Sequence, residues 1–143
     1  MKTMVDTNLK LYVLGFLFSK DRESILLIEK NRPEWQKGLF NGIGGKIEKG
    51  ENPSDAMNRE CEEECGLSDI DWKHYASLDG QDFKVFVFRA FIENIWDVEQ
   101  KESEKLLISK IPVVSNKLVS NCEFLIPLAL STNIQFPIEL KVI

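Results

Sequence analysis

The chain is short of cysteine, of histidine and of positive charge, and each shortage excludes something. Three cysteines, Cys61, Cys65 and Cys122, contain no C-x-x-C pair. An odd number without a secretory leader fits free thiols in a reducing, cytoplasmic compartment rather than a disulfide scaffold. Cys61 and Cys65 stand one helical turn apart, but no third and fourth ligands accompany them, so buried packing outweighs a zinc site. A single histidine, His74, lies far in sequence from the acidic residues and reads as a packed or exposed side chain rather than a ligand. Lysine and arginine number 18 against 23 aspartates and glutamates, a formal net charge of −5. That balance argues against broad binding to nucleic acid or to an anionic membrane. No apolar run is long enough to span a bilayer, and Lys2 and Asp6 interrupt the start of the chain, so neither a signal peptide nor a membrane span is expected. Repeats and low-complexity stretches are absent too.

What is present suffices for one core: 143 residues, 43% of them hydrophobic, are too few for two comfortable domains, and 1–143 reads as a single domain. Leu11 to Phe18 and Ile25 to Ile28 flank a polar turn and predict a hairpin of buried strands. Lys30 to Gly38 is a polar connection. Leu39-Phe-Asn-Gly-Ile-Gly-Gly45 then supplies a glycine cluster that suits either tight turns or close approach of the backbone to a ligand. Trp72 to Leu78 and Phe83 to Ile92 predict two strands joined through Asp79-Gly80, the second too apolar for one wet face and so central. Glu93 to Glu104 is an acidic loop, and Lys105 to Ile108 a short returning strand. Ser120 or Asn121 could cap a final helix with Phe124, Leu125, Leu128 and Ala129 on the core. Pro127 is awkward there, which calls for a later cap or a kink. Ile138 to Ile143 suggests an edge strand.

The densest signal is Gly45 to Leu67. Asn52 is a good N-cap, Pro53 suits the first helical position, and Gly66 suits a left-handed stop. Within that helix Glu60, Glu63 and Glu64 fall at i, i+3 and i+4, so three carboxylates share one face. Met57, Cys61 and Cys65 form an apolar stripe beside them. Like charges so crowded repel, and a divalent cation reverses that repulsion. Hard oxygen ligands select Mg2+, with Mn2+ as the alternative, and Mg2+ works with few carboxylates plus water and substrate phosphates. A solvated acidic face is the bland alternative for a generic glutamate-rich helix. Glu62 reads as solvated.

The spacing G-x5-E-x7-R-E-U-x-E-E-x-G-U, with U bulky and apolar, is met at Gly45, Glu51, Arg59, Glu60, Glu63, Glu64 and Gly66, with Cys61 and Leu67 at the bulky positions. It is the Nudix box, and on it the chain resembles a Nudix hydrolase of the MutT-like nucleoside triphosphate pyrophosphohydrolase group. The resemblance implies an α/β (α+β) fold, an α/β/α sandwich with a mixed β-sheet between helices. It implies metal ligation by Glu60, Glu63 and Glu64, sometimes with the Gly45 carbonyl, and pairing of Glu51 with Arg59 to set the loop against the helix. A further base or ligand often comes from a loop outside the box. Glu99, Glu102 and Glu104 are available, and Glu104 ranks first because it precedes an apolar strand. The approach Gly44-Gly45-Lys46-Ile47-Glu48 resembles that of the MutT-type enzymes, with Ile43 where a proline often stands.

The hard acid cluster suits a phosphoanhydride, and the resemblance implies that it belongs to a small-molecule nucleotide, most simply a nucleoside triphosphate, oxidised or not, cleaved to monophosphate and pyrophosphate. The same chemistry could serve ADP-ribose or a nucleotide sugar. A Nudix domain used as a non-catalytic nucleotide sensor is the rival of another class, disfavoured because all the box acids are present. Lys46, Lys37 and Arg32 could contact phosphates. Trp35, Phe40 or Phe124 could stack a base, although core packing is the commoner role of an aromatic. Asn41 and Asn121 could read a base edge, or serve as turn and cap residues. Oligomeric state leaves no trace in these patterns.

Overall fold

The computed structural model describes residues 8–143; the reading made at Lys2 and Asp6 lies outside them. Ten-residue β1, Lys10–Ser19, turns through Asp21 and Arg22 into β2, Ser24–Glu29, with Leu17 opposite Leu26. A 3-10 turn at Glu34–Gln36 leads to two short strands, β3 (Phe40–Asn41) and β4 (Ile43–Lys46). Helix α1 covers Pro53–Cys65, followed by β5 (Lys73–Asp79) and β6 (Phe83–Ile92). Past a second 3-10 turn at Ile95–Asp97 come β7 (Leu106–Lys110), helix α2 (Cys122–Ala129) and β8 (Ile138–Lys141).

The strands form one mixed eight-stranded sheet ordered β3-β2-β1-β6-β5-β8, with β4 on β1 and β7 on β2. β1 runs parallel to β6 through ten residue pairs, while β5 lies antiparallel on the far side of β6. The Phe83–Ile92 strand is thus central, as its apolar run requires. Side chains alternate across the sheet. Phe16, Phe18, Ile25 and Leu27 face α2 with Leu125 and Ala129, whereas Val13, Leu17, Leu26 and Ile28 face α1 with Met57, Cys61 and Cys65. Each fully buried aliphatic or aromatic side chain contributes about 1.5–3 kcal/mol of transfer free energy, so one layer holds α2 and the other α1 against the sheet. The result is an α+β sandwich around a mixed sheet.

Helix α1 begins where its caps dictate. The Asn52 side chain accepts the Asp55 N–H at 2.8 Å, Pro53 opens the helix, and Gly66 closes it at φ 75°. Helix α2 departs from expectation. Asn121 precedes it with helical φ, ψ of −60°, −26° and makes no side-chain cap. Pro127 lies inside the second turn rather than the first, tolerable in so short a helix because only one backbone bond is forgone. Leu125 and Ala129 are buried, but Phe124 is 45% exposed and faces outward, correcting its placement on the core. The helix is instead anchored by buried Tyr75, whose hydroxyl donates to the Leu125 carbonyl at 2.8 Å. The glycine cluster forms strand, not tight turns. A Cβ on Gly44 would strike the Val13 carbonyl oxygen, so glycine lets β4 pack closely on β1. Among the described residues no helix is long and apolar enough to cross a membrane.

Candidate active site

Three elements bring the acids together: the second half of α1, the start of β4, and the loop that ends at β7. Glu64 is the innermost, 8% exposed, and one carboxylate oxygen accepts the Gly44 N–H at 3.2 Å. Burial pushes its carboxyl up to about 8; Lys30 opposes that rise, while the charges of Glu60 and Glu104 add to it. Glu60 is raised as well, mainly by burial and against the pull of Arg59. A Cβ at Gly45 would fall on the Glu60 carboxylate, so the bare backbone of β4 lies directly against this acid. Glu63 is exposed, and its carboxylate reaches Arg59 at 3.3 Å. Glu62 is also exposed and borders a surface depression with Arg59, Glu63 and Lys101.

Arg59 ties loop to helix. Its Nε donates to Glu51 at 2.7 Å and Nη2 to the other oxygen of the same carboxylate at 2.9 Å, a two-pronged pair. Nη2 also reaches the Lys46 carbonyl at 3.1 Å, and Nη1 the Glu60 carboxylate at 2.9 Å. The guanidinium holds the Glu51 carboxyl below its ordinary range.

The sequence patterns passed over Lys30. It follows β2, and its ammonium lies 3.2 Å from Glu104, both side chains only 13% exposed. Glu104 also accepts the Asn31 N–H at 2.5 Å. Of the three loop acids, Glu104 is thus the one drawn to the cluster; Glu99 pairs outward with Lys101 at 2.9 Å. The signal for Lys30 was a cation at the end of a buried strand, legible only once β7 is known to lie antiparallel on β2.

Two of the nucleotide-facing candidates converge elsewhere. Asn41 is buried: its Oδ1 accepts the Gly42 N–H at 2.8 Å and the Cys122 thiol at 3.4 Å, and its Nδ2 donates to Gln36 at 3.2 Å. Half-buried Asn121 adjoins Cys122. The pairing of Phe40 with Lys117 and Val119 brings β3 and the start of α2 side by side. Gln36 is a second residue that sequence reasoning missed. Trp35 is 64% exposed on its 3-10 turn, and Arg32, Lys37 and Lys46 have exposed side chains. Nothing gathers the three cations onto one point. Lys46 instead lines an open depression with Lys10, Lys49 and Glu51, outside the acid cluster.

Whether a divalent cation suits the cluster can be asked of the cations already there. Among the described residues no three acids are gathered at metal-holding geometry, because Arg59 spreads Glu60 and Glu63 and Lys30 engages Glu104. All donors are nonetheless hard oxygens, and Glu64, whose proton affinity is raised first by burial and then by the charges of Glu60 and Glu104, is compensated only in part by Lys30. The donor chemistry suits a hard divalent cation and does not suit a soft metal.

A mixed sheet lies between two helices, with clustered glutamates on the helix that follows a glycine-rich strand. The NUDIX domain model matches residues 9–112, and the chain belongs to that family. It is a hydrolase of pyrophosphate bonds. No curated protein sequence matches. Among solved structures, one MutT described in work on Aliivibrio salmonicida and Vibrio cholerae is 22% identical, with a TM-score of 0.70 over 85% of this chain and 98% of that one. A NUDIX hydrolase from Nitrosomonas europaea is 15% identical, with a TM-score of 0.74 over 98% and 83%. A MutT NUDIX hydrolase from Burkholderia pseudomallei is 20% identical, with a TM-score of 0.71 over 84% and 97%. At these identities the likeness is one of fold.

Proposed function

We propose that the chain is a Mg2+-dependent cytoplasmic pyrophosphohydrolase that converts a nucleoside triphosphate to the monophosphate and pyrophosphate. The observation that carries this reading is the convergence of buried Glu64 with Glu60 and Glu104, where burial first, and then the two neighbouring carboxylates, raise the proton affinity of Glu64. Glu60, Glu63, Glu64 and the Gly45 carbonyl would hold the metal. When bound, it would neutralise phosphate oxygens and acidify an attacking water. Glu104, whose two oxygens are engaged by Asn31 and Lys30, would accept a proton from that water. Arg59 keeps the loop of Glu51 and Lys46 registered against α1, and Gly66 ends the helix that presents the acids.

For the base, Asn41 retains one Nδ2 donor because its other polar positions are occupied, which suits a carbonyl on the base edge. Asn121, with no side-chain cap to make, supplies a second amide next in the chain to Cys122, which contacts Asn41. Exposed Trp35 offers a stacking face, and exposed Arg32 and Lys46 are free to meet phosphates.

The test is metal-dependent turnover over canonical and oxidised nucleoside triphosphates, ADP-ribose and nucleotide sugars, with Glu64→Gln as control. The fastest substrate is expected to be a nucleoside triphosphate releasing pyrophosphate, and Glu64→Gln to lose roughly a hundredfold or more. Faster turnover of ADP-ribose or a nucleotide sugar overturns the substrate assignment. Nucleotide binding without any turnover identifies a sensing module instead.

A further inference from the structure

Strand β8 ends the sheet with one side unpaired. It lies parallel to β5, with Ala76 opposite Ile138, Leu78 opposite Leu140, and the Val142 N–H on the Asp79 carbonyl at 2.9 Å. The alternation of a strand therefore aims the N–H and C=O groups of Ile138, Leu140 and Val142 at β5, and those of Glu139 and Lys141 at the open edge. Among the described residues no backbone group meets them there. Both side chains are exposed, and neither enters an ion pair among the described residues.

Exposed edges are guarded by shortness, by lysine or another charge, by proline, by a bulge or by a covering element, and four-residue β8, with Lys141 and preceding Pro137, has no bulge or cover among the described residues. Here the two outward-facing residues carry opposite charges two positions apart. We infer that β8 is a self-complementary interface, pairing antiparallel with β8 of a second copy about a two-fold axis at Leu140. In that register Glu139 lies opposite the partner's Lys141 and Lys141 opposite the partner's Glu139. Each such pair exchanges both backbone hydrogen bonds, because these are the residues whose groups face outward. Leu140 meets the partner's Leu140, and Ile138 meets the partner's Val142. Val142, 43% exposed, is thereby covered.

The neighbouring registers fail for identifiable reasons. A slip of one residue sets the outward groups against residues already bonded to β5. A slip of two residues one way places Glu139 against Glu139 and brings Pro137, which has no N–H, opposite Lys141. The same slip the other way places Lys141 against Lys141. Cross-strand like charges are unfavourable, so the register centred on Leu140 is singled out both by hydrogen bonding and by charge.

Sedimentation equilibrium over a concentration series tests this, with charge variants that leave the bonds to β5 intact. The natural chain is expected to associate to twice its 16.5 kDa mass. Glu139→Lys and Lys141→Glu each set like charges opposite one another at both symmetry-related positions, and each should weaken dimerisation roughly tenfold or more. The double variant E139K/K141E should restore it. An equimolar mixture of the two single variants should form heterodimers, since one presents two lysines and the other two glutamates. A chain that stays at 16.5 kDa at all concentrations, or a dimer indifferent to these substitutions, overturns the inference.

Discussion

Gly45 and Glu60 are in such close contact that the hydrogen on the Gly45 Cα stands where a side chain would overlap the Glu60 carboxylate. The obstructing atoms belong to the free end of a flexible side chain, which can swing aside. Gly45→Ala is therefore expected to keep the fold within about 1 kcal/mol while displacing the carboxylate and cutting turnover roughly tenfold or more. Gly44→Ala makes the contrast. Its Cβ would meet the Val13 carbonyl oxygen, which cannot move without parting β4 from β1, so about 1–3 kcal/mol of stability should be lost. Urea unfolding and turnover, measured on both variants, separate the two effects.

The pair formed by Glu51 and Arg59 depends on shape as well as charge. Two prongs at 2.7 and 2.9 Å need the planar guanidinium fork, and lysine cannot reproduce them. Both side chains are about one-fifth to one-quarter exposed, which tempers their attraction. Arg59→Lys should cost about 1–2 kcal/mol in urea unfolding, and Glu51→Gln about 1 kcal/mol. The double variant should lose less than the sum, with a coupling near 1 kcal/mol. Additive losses would deny that the pair acts as a unit.

Where the sequence was legible, local chemistry sufficed. Asn52, Pro53 and Gly66 bracket α1 without help from the rest of the molecule, and the spacing of Glu60, Glu63 and Glu64 follows from helical geometry alone. Illegible features needed tertiary neighbours. Lys30 and Glu104 are 74 residues apart and meet only because β7 returns along β2. Phe124 reads as core from its apolar neighbours, yet α2 lies on the sheet through Leu125 and Ala129, leaving that position outside. The Gly42-to-Gly45 run has too few side chains to look like strand, and its pairing with β1 is imposed by β1.

His74 supplies a pH dependence far from the acids. Its ring lies 5.6 and 5.5 Å from those of Phe86 and Phe88, its Nε2 is buried without a partner, and burial lowers its proton affinity. The charge of nearby Lys84 acts in the same sense, and the Ala76 backbone opposes both. Because the folded state resists the proton on His74 more than the unfolded chain does, the contribution of His74 to stability should fall as pH drops below about 6.5 and be whole above it, while Glu64, pushed up to about 8, acts in the opposite sense. On acidification from pH 7.5 to 5.5 the natural protein should gain less, or lose more, in urea midpoint than His74→Gln, in which the opposing contribution of Glu64 remains. The same change in both would place the titration elsewhere.

Glu104 is set apart from the other loop acids by what holds it. The Asn31 N–H and the Lys30 ammonium fix both of its oxygens, whereas Glu102 is exposed and Glu99 is turned toward Lys101. Only a held carboxylate can meet an attacking water with the same geometry at each turnover, so position rather than acidity distinguishes the three. Glu104→Gln preserves an acceptor for Asn31 but loses proton affinity and the ion pair. It is expected to lower kcat roughly a hundredfold, with KM little altered and the far-ultraviolet circular dichroism unchanged. Glu99→Gln and Glu102→Gln should turn over at nearly the natural rate. Should Glu102→Gln instead show the large loss, the loop must rearrange on binding substrate, releasing Glu104 from Lys30 and bringing its neighbour inward.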